Sequence, residues 1–354
     1  FRLLSGSSRT VLPRHQTLRA TIQWSYDQLS VEEQRLFRRF SIFAGGWTLS
    51  SATKLAGDAS DEFAVLETIE HLADKSLTFV QYDDSVAEET RYGMLETVRQ
   101  YGRERLAEAG EFEGARLRHL EMFTALAEAG YSERASREGF WARTLEADHD
   151  NLRTALDTAR DRDPREYLLI AGALAWFWQA RSHLIEGRGH VTAALAAAAG
   201  SSPSTEARAR ALWGLGLMVG WQGDAAASLR YMEEALGIWR SLGNLAEVAL
   251  ALEGIGWVQC VAGADEQAEA TFLECLRLQT DRGDPILVNR ARVGLAQTYV
   301  ALSKVEDARR LATEVIAFSS EQEDLRNEHF GWHFLADCAL LEGHCRESLP
   351  LYQK

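Results

Sequence analysis

Lysine is scarce in this chain of 354 residues. The four lysines are Lys54, Lys75, Lys304 and Lys354, against 34 arginines, and none of them follows a glycine. A phosphate-binding loop requires a glycine-rich turn that ends in Gly-Lys-Ser/Thr. The sequence therefore excludes a nucleotide-hydrolysing P-loop within these residues. No Ser/His/Asp or Cys/His arrangement stands out either, so we predict no catalytic residue and no enzymatic activity for the chain.

Long apolar runs are also missing. No stretch of 18 apolar residues occurs, which excludes a transmembrane helix, and no signal peptide opens the chain. We therefore expect a cytoplasmic protein without a membrane partner. The chain starts at Phe1 rather than at an initiator methionine. This start indicates a fragment of a longer protein.

Cysteine is rare, and its spacing fits no metal or redox motif. The four cysteines are Cys260, Cys275, Cys338 and Cys345, without a CxxC pair, so we expect reduced thiols in a helical core. His329 and His333 are four residues apart, and two imidazoles on one helix face are one zinc-binding arrangement. The HExxH pattern is absent, however, and a repeat already accounts for this segment. We predict no metal site.

The C-terminal half repeats with a period of 40 residues. Gly216, Gly256, Ala296 and Ala336 occupy equivalent positions in stretches of helical spacing, and glycine-containing turns follow three of them. A helical hairpin of this kind cannot bury its apolar face alone, so the repeat predicts an α-solenoid of stacked hairpins. The pattern resembles the tetratricopeptide repeat, although that family usually has a period of 34 residues.

The N-terminal part reads as helices followed by a β-hairpin. Helices are expected over residues 17–29, after Ser30, over 48–55 and over 62–75, and Ser30 with Glu33 forms a capping-box pattern. Residues 77–82 and 91–94 have strand-like patterns and enclose an acidic turn over 83–90. This order predicts a winged-helix domain. The whole chain is thus expected to be mainly α: a winged helix, a helical connector and a tetratricopeptide-like α-solenoid.

A known family shares this order of pieces. SYDQLSVEEQRLFRRFSIFAGGWTL, LADKSL and RYGMLETVRQYGRERL resemble the winged-helix module of NB-ARC-type STAND signalling ATPases, and EADHDNLRTAL resembles the helical segment that follows it. The resemblance implies these boundaries: the tail of an upstream nucleotide-binding domain at 1–16, a winged helix at 17–110, a connector at 111–165 and repeats at 166–354. It implies no cofactor in this chain, ADP or ATP in the full-length parent, and an upstream nucleotide-binding domain as partner in cis.

The resemblance also points to three residues near the nucleotide. In NB-ARC proteins a Met-His-Asp motif at the end of the wing contacts bound ADP, and the matching positions are Met94, Leu95 and Glu96. Glu96 retains an acidic group, but Leu95 cannot donate a hydrogen bond to a phosphate. The alternative interpretation of Leu95, favoured by the burial habits of leucine, is a core residue of the winged helix.

DNA binding by the winged helix is a competing hypothesis. Residues 1–110 contain 13 cationic and 16 acidic residues, and the turn between the strands carries Asp83, Asp84, Glu88 and Glu89. A wing that binds DNA needs cations against phosphate, and the whole chain has a net charge of −14. We predict no direct nucleic-acid contact by this part of the protein.

Aromatic residues of the repeats form the predicted binding groove. Carrying over the tetratricopeptide register selects Trp176, Trp213, Trp221, Trp257, Arg290, Gln297 and Phe330. Such a surface suits a peptide, a protein or a small apolar effector, whereas the alternative is that the rings fill gaps between helices. The function implied is effector sensing in a STAND transcriptional regulator that forms oligomers on activation. The alternative function is a constitutive scaffold for protein partners.

Overall fold

The computed structural model describes residues 13–57, 61–81, 90–200 and 205–354, and the side chains of 13–17 and 205 are not described. The chain divides into two compact units, Phe1–Ala173 and Leu174–Lys354. The helix that contains the division is Pro164–Ala180. No helix within the described ranges is both long and apolar enough to cross a membrane.

The first unit begins with the predicted winged helix. Its helices are α1 (Pro13–Asp27), α2 (Val31–Phe40), α3 (Leu49–Ala56), α4 (Glu62–Asp74) and α5 (Glu96–Glu108), and its strands are β1 (Trp47–Thr48), β2 (Phe79–Gln81) and β3 (Arg91–Gly93). The strands form an antiparallel sheet in the order β1-β3-β2. Val80 lies opposite Tyr92, and Trp47 lies opposite the same tyrosine on the other side. The sequence predicted the hairpin of β2 and β3 but missed β1, because two residues are too short to show a period.

Local sequence signals explain how α2 starts and packs. The Ser30 side chain accepts from the N–H of Glu33, and Glu33 accepts from the N–H of Ser30 at 2.6 Å, which confirms the capping box. Gly102 on α5 lets that helix approach α2, since a β-carbon there would lie 2.6 Å from Cβ of Ser41. The core beside them contains Phe37 and Phe40, both fully buried.

Helix α1 begins at Pro13, four residues earlier than the predicted start at Thr17, because proline suits the first turn of a helix. The acidic residues of the predicted turn, within 82–89, lie outside the described residues.

Two further helices belong to the same compact unit. They are α6 (Phe112–Ala147), which has a kink at Arg137 (φ −135°, ψ 37°), and α7 (His149–Arg162). They correspond to the predicted helical connector. The exact domain boundaries at 16, 110 and 165 stay predictions.

The second unit is the predicted solenoid. After α8 (Pro164–Ala180) come α9 (Leu184–Ala197) and a short 3-10 turn (Ala198–Gly200). Four hairpins then follow: α10 (Thr205–Trp221) with α11 (Ala225–Leu242), α12 (Leu245–Val261) with α13 (Asp265–Arg282), α14 (Pro285–Ala301) with α15 (Val305–Glu321), and α16 (Leu325–Leu341) with α17 (Cys345–Tyr352). The mainly α fold class is confirmed. We call α10, α12, α14 and α16 the A helices and their partners the B helices.

The small residues of the 40-residue period lie where A helices meet B helices. A β-carbon on Gly216 would lie 2.7 Å from Cγ of Met232 on α11, and one on Gly256 would lie 2.7 Å from the ring of Phe272 on α13. Ala296 and Ala336, at the equivalent positions, are fully buried. Between hairpins, Gly243 and Gly283 end α11 and α13 in the left-handed conformation (φ 69° and 72°), which glycine adopts without strain.

All four cysteines are free, but they do not all lie in the core. Cys275 and Cys338 are buried, and burial raises the pKa of the Cys275 thiol to about 12. Cys260 is half-buried, and Cys345 is exposed. The expectation of a core position is therefore wrong for Cys345, because it is the first residue of α17, at the helix end.

Candidate functional site

A cleft of about 420 Å³ lies in the first unit beside the base of the wing. Its lining comes from four parts of the chain. They are the segment 43–47 before α3, Gln81 of β2, the end of β3 and start of α5 with Gly93, Met94, Glu96 and Arg99, and α7 with Asp150, Arg153 and Thr154. A volume of this size is typical of small-molecule sites and of pockets for a short peptide segment.

Two glycines shape one wall of the cleft. Gly45 and Gly46 have φ of 78° and 127°, values that side-chain-bearing residues rarely adopt. A β-carbon on Gly46 would lie 2.5 Å from Oε1 of Gln81, and one on Gly45 would lie 3.1 Å from Oδ2 of Asp150. The wall therefore requires glycine at both positions for conformation and for space.

Opposite charges alternate around the cleft. Nε of Arg99 lies 2.8 Å from Oε2 of Glu96, and Nη1 of Arg153 lies 2.9 Å from Oδ1 of Asp150. Arg99 also donates to the carbonyl of Phe43 at 3.4 Å. These pairs are partly exposed, so each contributes little to stability, and a ligand could exchange either partner at low cost. The cleft suits a ligand that carries both donors and acceptors better than a simple anion.

A buried polar cluster holds this part of the winged helix on α6 and α7. The Asn151 amide is fully buried, donates to the carbonyl of Gly46 at 2.8 Å, and accepts from the N–H of Ala44 at 2.7 Å. Nearby, Arg91 of β3 donates to Oδ1 of Asp148 at 2.8 Å and to the carbonyl of Ala147 at 3.0 Å. The backbone of the glycine segment is thereby fixed to α7, and the strand of the wing is fixed to the junction of α6 and α7.

His119 of α6 completes this cluster in its neutral form. Its Nε2 donates to Oδ1 of Asn151 at 3.3 Å, and its ring packs on Phe123 with centroids 4.5 Å apart. Its Nδ1 has no hydrogen-bond partner among the described residues. Burial is the main cause that lowers the pKa of His119 to about 4. A proton on Nδ1 would be a buried donor without an acceptor, which explains the direction of the shift.

The structure separates the three residues matched to the Met-His-Asp motif. Met94 and Glu96 line the cleft, whereas Leu95 does not. Leu95 precedes α5 in an extended conformation and is 61% exposed. The interpretation of Leu95 as a core residue is therefore wrong, because the N-cap position of α5 projects from the domain. A nucleotide-proximal role of the three residues stays a prediction.

Sequence reasoning missed most of the cleft. Gly45, Gly46, Arg99, Asp150 and Arg153 were not among the predicted site residues. The one available signal was the segment EADHDNL, which contains Asp148, Asp150 and Asn151.

The helix that would read DNA is acidic. In a helix-turn-helix the second helix enters the major groove, and here that helix is α4. Its exposed residues include Glu62, Phe63, Glu67, Glu70 and Asp74, and the helix contains no lysine or arginine. Phosphate contacts need cations, and α4 supplies none, so the absence of direct DNA contact stays a prediction.

The residues predicted to line the groove differ in accessibility. Trp176 is only 4% exposed, so the prediction that it faces an effector is wrong; nearly every residue around it in α8 is buried. Trp213, Trp257, Arg290, Gln297 and Phe330 are half-buried, whereas Trp221 is 71% exposed. A role in binding stays a prediction for these six.

Part of the predicted groove also stabilises the array. The Trp257 ring meets Phe272 edge-on at 5.7 Å, and Phe330 stacks on Phe334 at 6.1 Å. Arg290 donates to Oε1 of Glu253 on the preceding A helix at 2.9 Å. The same residue can therefore pack between helices and still be partly accessible on the groove surface, so the two alternatives do not exclude each other.

The histidines weighed for zinc serve other contacts. Nε2 of His333 lies 3.6 Å from Oδ2 of Asp337, and its ring packs against Tyr352 at 5.1 Å. The structure does not gather His329, His333, Cys338, His344 and Cys345 into a set of ligand atoms.

Comparison with known families finds a match for the winged helix and for the helical array. Residues 29–107 match the winged helix-turn-helix domain. Residues 207–281 match the tetratricopeptide repeat. The winged-helix domain and the tetratricopeptide array therefore have the identities that the sequence predicted.

A curated relative covers both parts. A protein of Mycobacterium tuberculosis (strain H37Rv), provisionally named HTH-type transcriptional regulator Rv0890c, is 34% identical over 280 residues, which are 77% of this chain and 31% of that protein. The chain thus spans about a third of the length of this relative.

Two solved structures align with most of this chain. Aspartyl phosphate phosphatase F from Bacillus subtilis aligns with a TM-score of 0.54 and 11% identity, over 96% of this chain and 78% of that one. A STAND protein with a tetratricopeptide repeat sensor from Pyrococcus horikoshii aligns with a TM-score of 0.49 and 15% identity, over 93% and 58%. At such identities the likeness concerns the fold alone.

Proposed function

We propose that this chain is the regulatory and effector-sensing part of a STAND signal-transduction ATPase that regulates transcription. The proposal rests on one observation: the chain combines a tetratricopeptide array with a winged helix whose recognition helix, α4, is acidic. A winged helix without cations on α4 binds DNA phosphates weakly. We therefore assign this domain to protein–protein contacts. The name of the mycobacterial relative supports a role in transcription.

In this mechanism the winged helix restrains a nucleotide-binding domain upstream in the same protein, which binds ADP or ATP. The cleft beside Gly46, Glu96 and Asp150 is the surface that we assign to this contact. Its paired charges can exchange partners, and Leu95 offers an exposed apolar side chain next to it. The buried Asn151 cluster makes the surface rigid, as a restraining contact requires.

The tetratricopeptide array is the proposed sensor. An effector, whether a peptide, a protein or a small apolar molecule, binds along the surface that includes Trp213, Trp257 and Phe330. Binding shifts the population from a closed ADP state toward an open, ATP-bound state that forms oligomers. Such a shift requires that the effector bind the open state more tightly than the closed one.

The alternative is a constitutive scaffold whose array binds protein partners without gating. The packing of Trp257 on Phe272 and of Phe330 on Phe334 favours this alternative, since rings that hold helices together are not free for a ligand.

Release of a fluorescent ADP analogue from the full-length protein separates the two functions. We expect Leu95→Asp to accelerate release about tenfold, because a charge replaces an apolar contact with the upstream domain. Val31→Asp is the matched control, since Val31 is 85% exposed in the same domain but does not line the cleft. Equal release rates in the wild type and Leu95→Asp would contradict the proposed restraint of the nucleotide-binding domain and would favour the constitutive scaffold.

A further inference from the structure

The A helices end in a row of exposed apolar residues. Trp221, Val261, Ala301 and Leu341 are the last residues of α10, α12, α14 and α16, each 40 residues after the one before. Trp221 is 71% exposed, Val261 83% and Leu341 48%, and Ala301 is exposed as well. We call these four residues the edge row.

Single exposed apolar residues are common on protein surfaces, but a row is not. In four successive hairpins the last residue of the A helix is apolar and exposed, although a polar residue would end the helix equally well. At the other end of the same helices the equivalent residues are Thr205, Leu245, Pro285 and Leu325, so three of the four are apolar and the row there is interrupted by one polar residue. The folding of the array does not require the edge row, which leaves binding as its use.

Acidic residues border the edge row. The four segments 221–227, 261–267, 301–307 and 341–347 contain seven acidic residues and two basic ones. Two of the acids, Asp307 and Glu342, are paired with arginines of the B helix α15, and the base Lys304 is paired with Glu269 at 2.6 Å. Asp265 and Glu266 have no cationic partner among the described residues, so unpaired negative charge remains beside the row. A partner for this edge should therefore carry positive charge between apolar side chains.

The spacing of the row indicates the conformation of that partner. Neighbouring A helices contact one another, and packed helices lie about 10 Å apart. A polyproline II segment presents the same face every third residue, at intervals of about 9 Å. An amphipathic helix presents apolar residues at intervals of about 5 to 6 Å, so half of them would lie over gaps in the row.

We propose that the edge row binds an extended cationic segment of a protein partner, with an apolar residue at every third position and lysine or arginine between them. The apolar side chains contact Trp221, Val261 and Leu341, and the cations face the carboxylates at the start of the B helices. This proposal rests on the proposed sensor function of the array and specifies the chemistry of one partner.

Fluorescence anisotropy of the whole chain with a labelled synthetic peptide tests the proposal. The probe is a peptide of about 12 residues, four turns of a polyproline II helix, with leucine at every third position and lysine and proline between. We expect salt-dependent binding that the double variant Val261→Ser, Leu341→Ser weakens about tenfold. The matched control is Leu245→Ser with Leu325→Ser, which removes exposed leucines from the opposite ends of A helices.

Three outcomes would overturn the proposal. They are equal affinity of the wild type and the edge-row variant, equal binding of a peptide of the same composition whose four leucines lie at alternate positions in one half, and tighter binding of a helical peptide with the same charge. Thermal unfolding of the variants verifies that they fold, which we expect because the substituted side chains are exposed.

The same variants separate this proposal from the proposed function. Peptide binding that depends on Val261 and Leu341 supports the edge row, whatever the ADP-release measurement shows. If ADP release depends on Leu95 but peptide affinity does not change in the edge-row variant, the proposed restraint is supported and only the edge-row proposal fails.

Discussion

The ring of Phe272 occupies the space that a β-carbon on Gly294 would need. Phe272 lies on α13 and Gly294 on α14, and the added carbon would be 2.2 Å from Cε1 of the ring. Gly256 of α12 lies against the same ring, at 2.7 Å for its own added carbon. One fully buried phenylalanine thus packs between two helices that glycine allows to come close.

We expect Gly294→Ala to destabilise the array by about 1–3 kcal/mol, since the new methyl group forces the helices apart. Gly237→Ala is the matched control. Gly237 is exposed within α11 with no atom near an added β-carbon, so alanine there should stabilise by up to about 1 kcal/mol. Urea denaturation measures both. If the ring is the cause, Gly294→Ala should cost less stability in the Phe272→Leu background than in the wild type. An equal cost in both backgrounds would contradict this explanation.

Asn151→Ala should lower the free energy of unfolding by about 3 kcal/mol. The substitution removes the partner of the part-buried Ala44 N–H and of the buried Gly46 carbonyl, and each buried unsatisfied group costs about 1–3 kcal/mol. Arg160→Ala on the same helix breaks only exposed ion pairs with Asp157 and Asp161 and should cost less than about 1 kcal/mol. Guanidinium denaturation compares the two. Similar losses in both variants would refute the importance of the Asn151 cluster.

Stability should fall between pH 7 and pH 4 because of His119. Its pKa is about 4 in the folded protein and about 6.5 in the unfolded chain, so the unfolded state takes up the proton first as the pH drops. The stabilisation is therefore complete above pH 6.5 and is lost down to pH 4, by about 3 kcal/mol in total.

Thermal unfolding of His119→Gln at pH 7.5 and pH 5 checks this assignment. We expect a smaller difference between the two pH values than in the wild type, because glutamine does not titrate. His329→Gln, which replaces an exposed histidine of the second unit, is the control. An unchanged pH dependence in His119→Gln would exclude His119 as its source.

The four thiols should react with a disulfide reagent in a fixed order. Cys345 is exposed and should react first, whereas burial raises the pKa of Cys275 and of Cys338 and keeps both as neutral thiols. In Cys345→Ser we expect the fast phase to disappear and the slow phases to remain. Fast reaction of Cys275 without denaturant would contradict the packing of α13.

The sequence by itself determined the elements that depend on local signals. Ser30 and Glu33 cap α2 through atoms three residues apart, and the small residues from Gly216 to Ala336 repeat because every hairpin makes the same contact. Both signals lie within a short stretch or recur at a fixed interval, so no tertiary structure is needed to recognise them.

Only the tertiary structure decided which side chains meet and which stay accessible. The cleft joins Gly46, Arg99 and Asp150, which are separated by more than 50 residues and share no spacing. Trp176 and Trp221 look alike in the sequence, yet one is buried and the other exposed. The burial of a side chain depends on what packs over it, and that surface comes from distant parts of the chain.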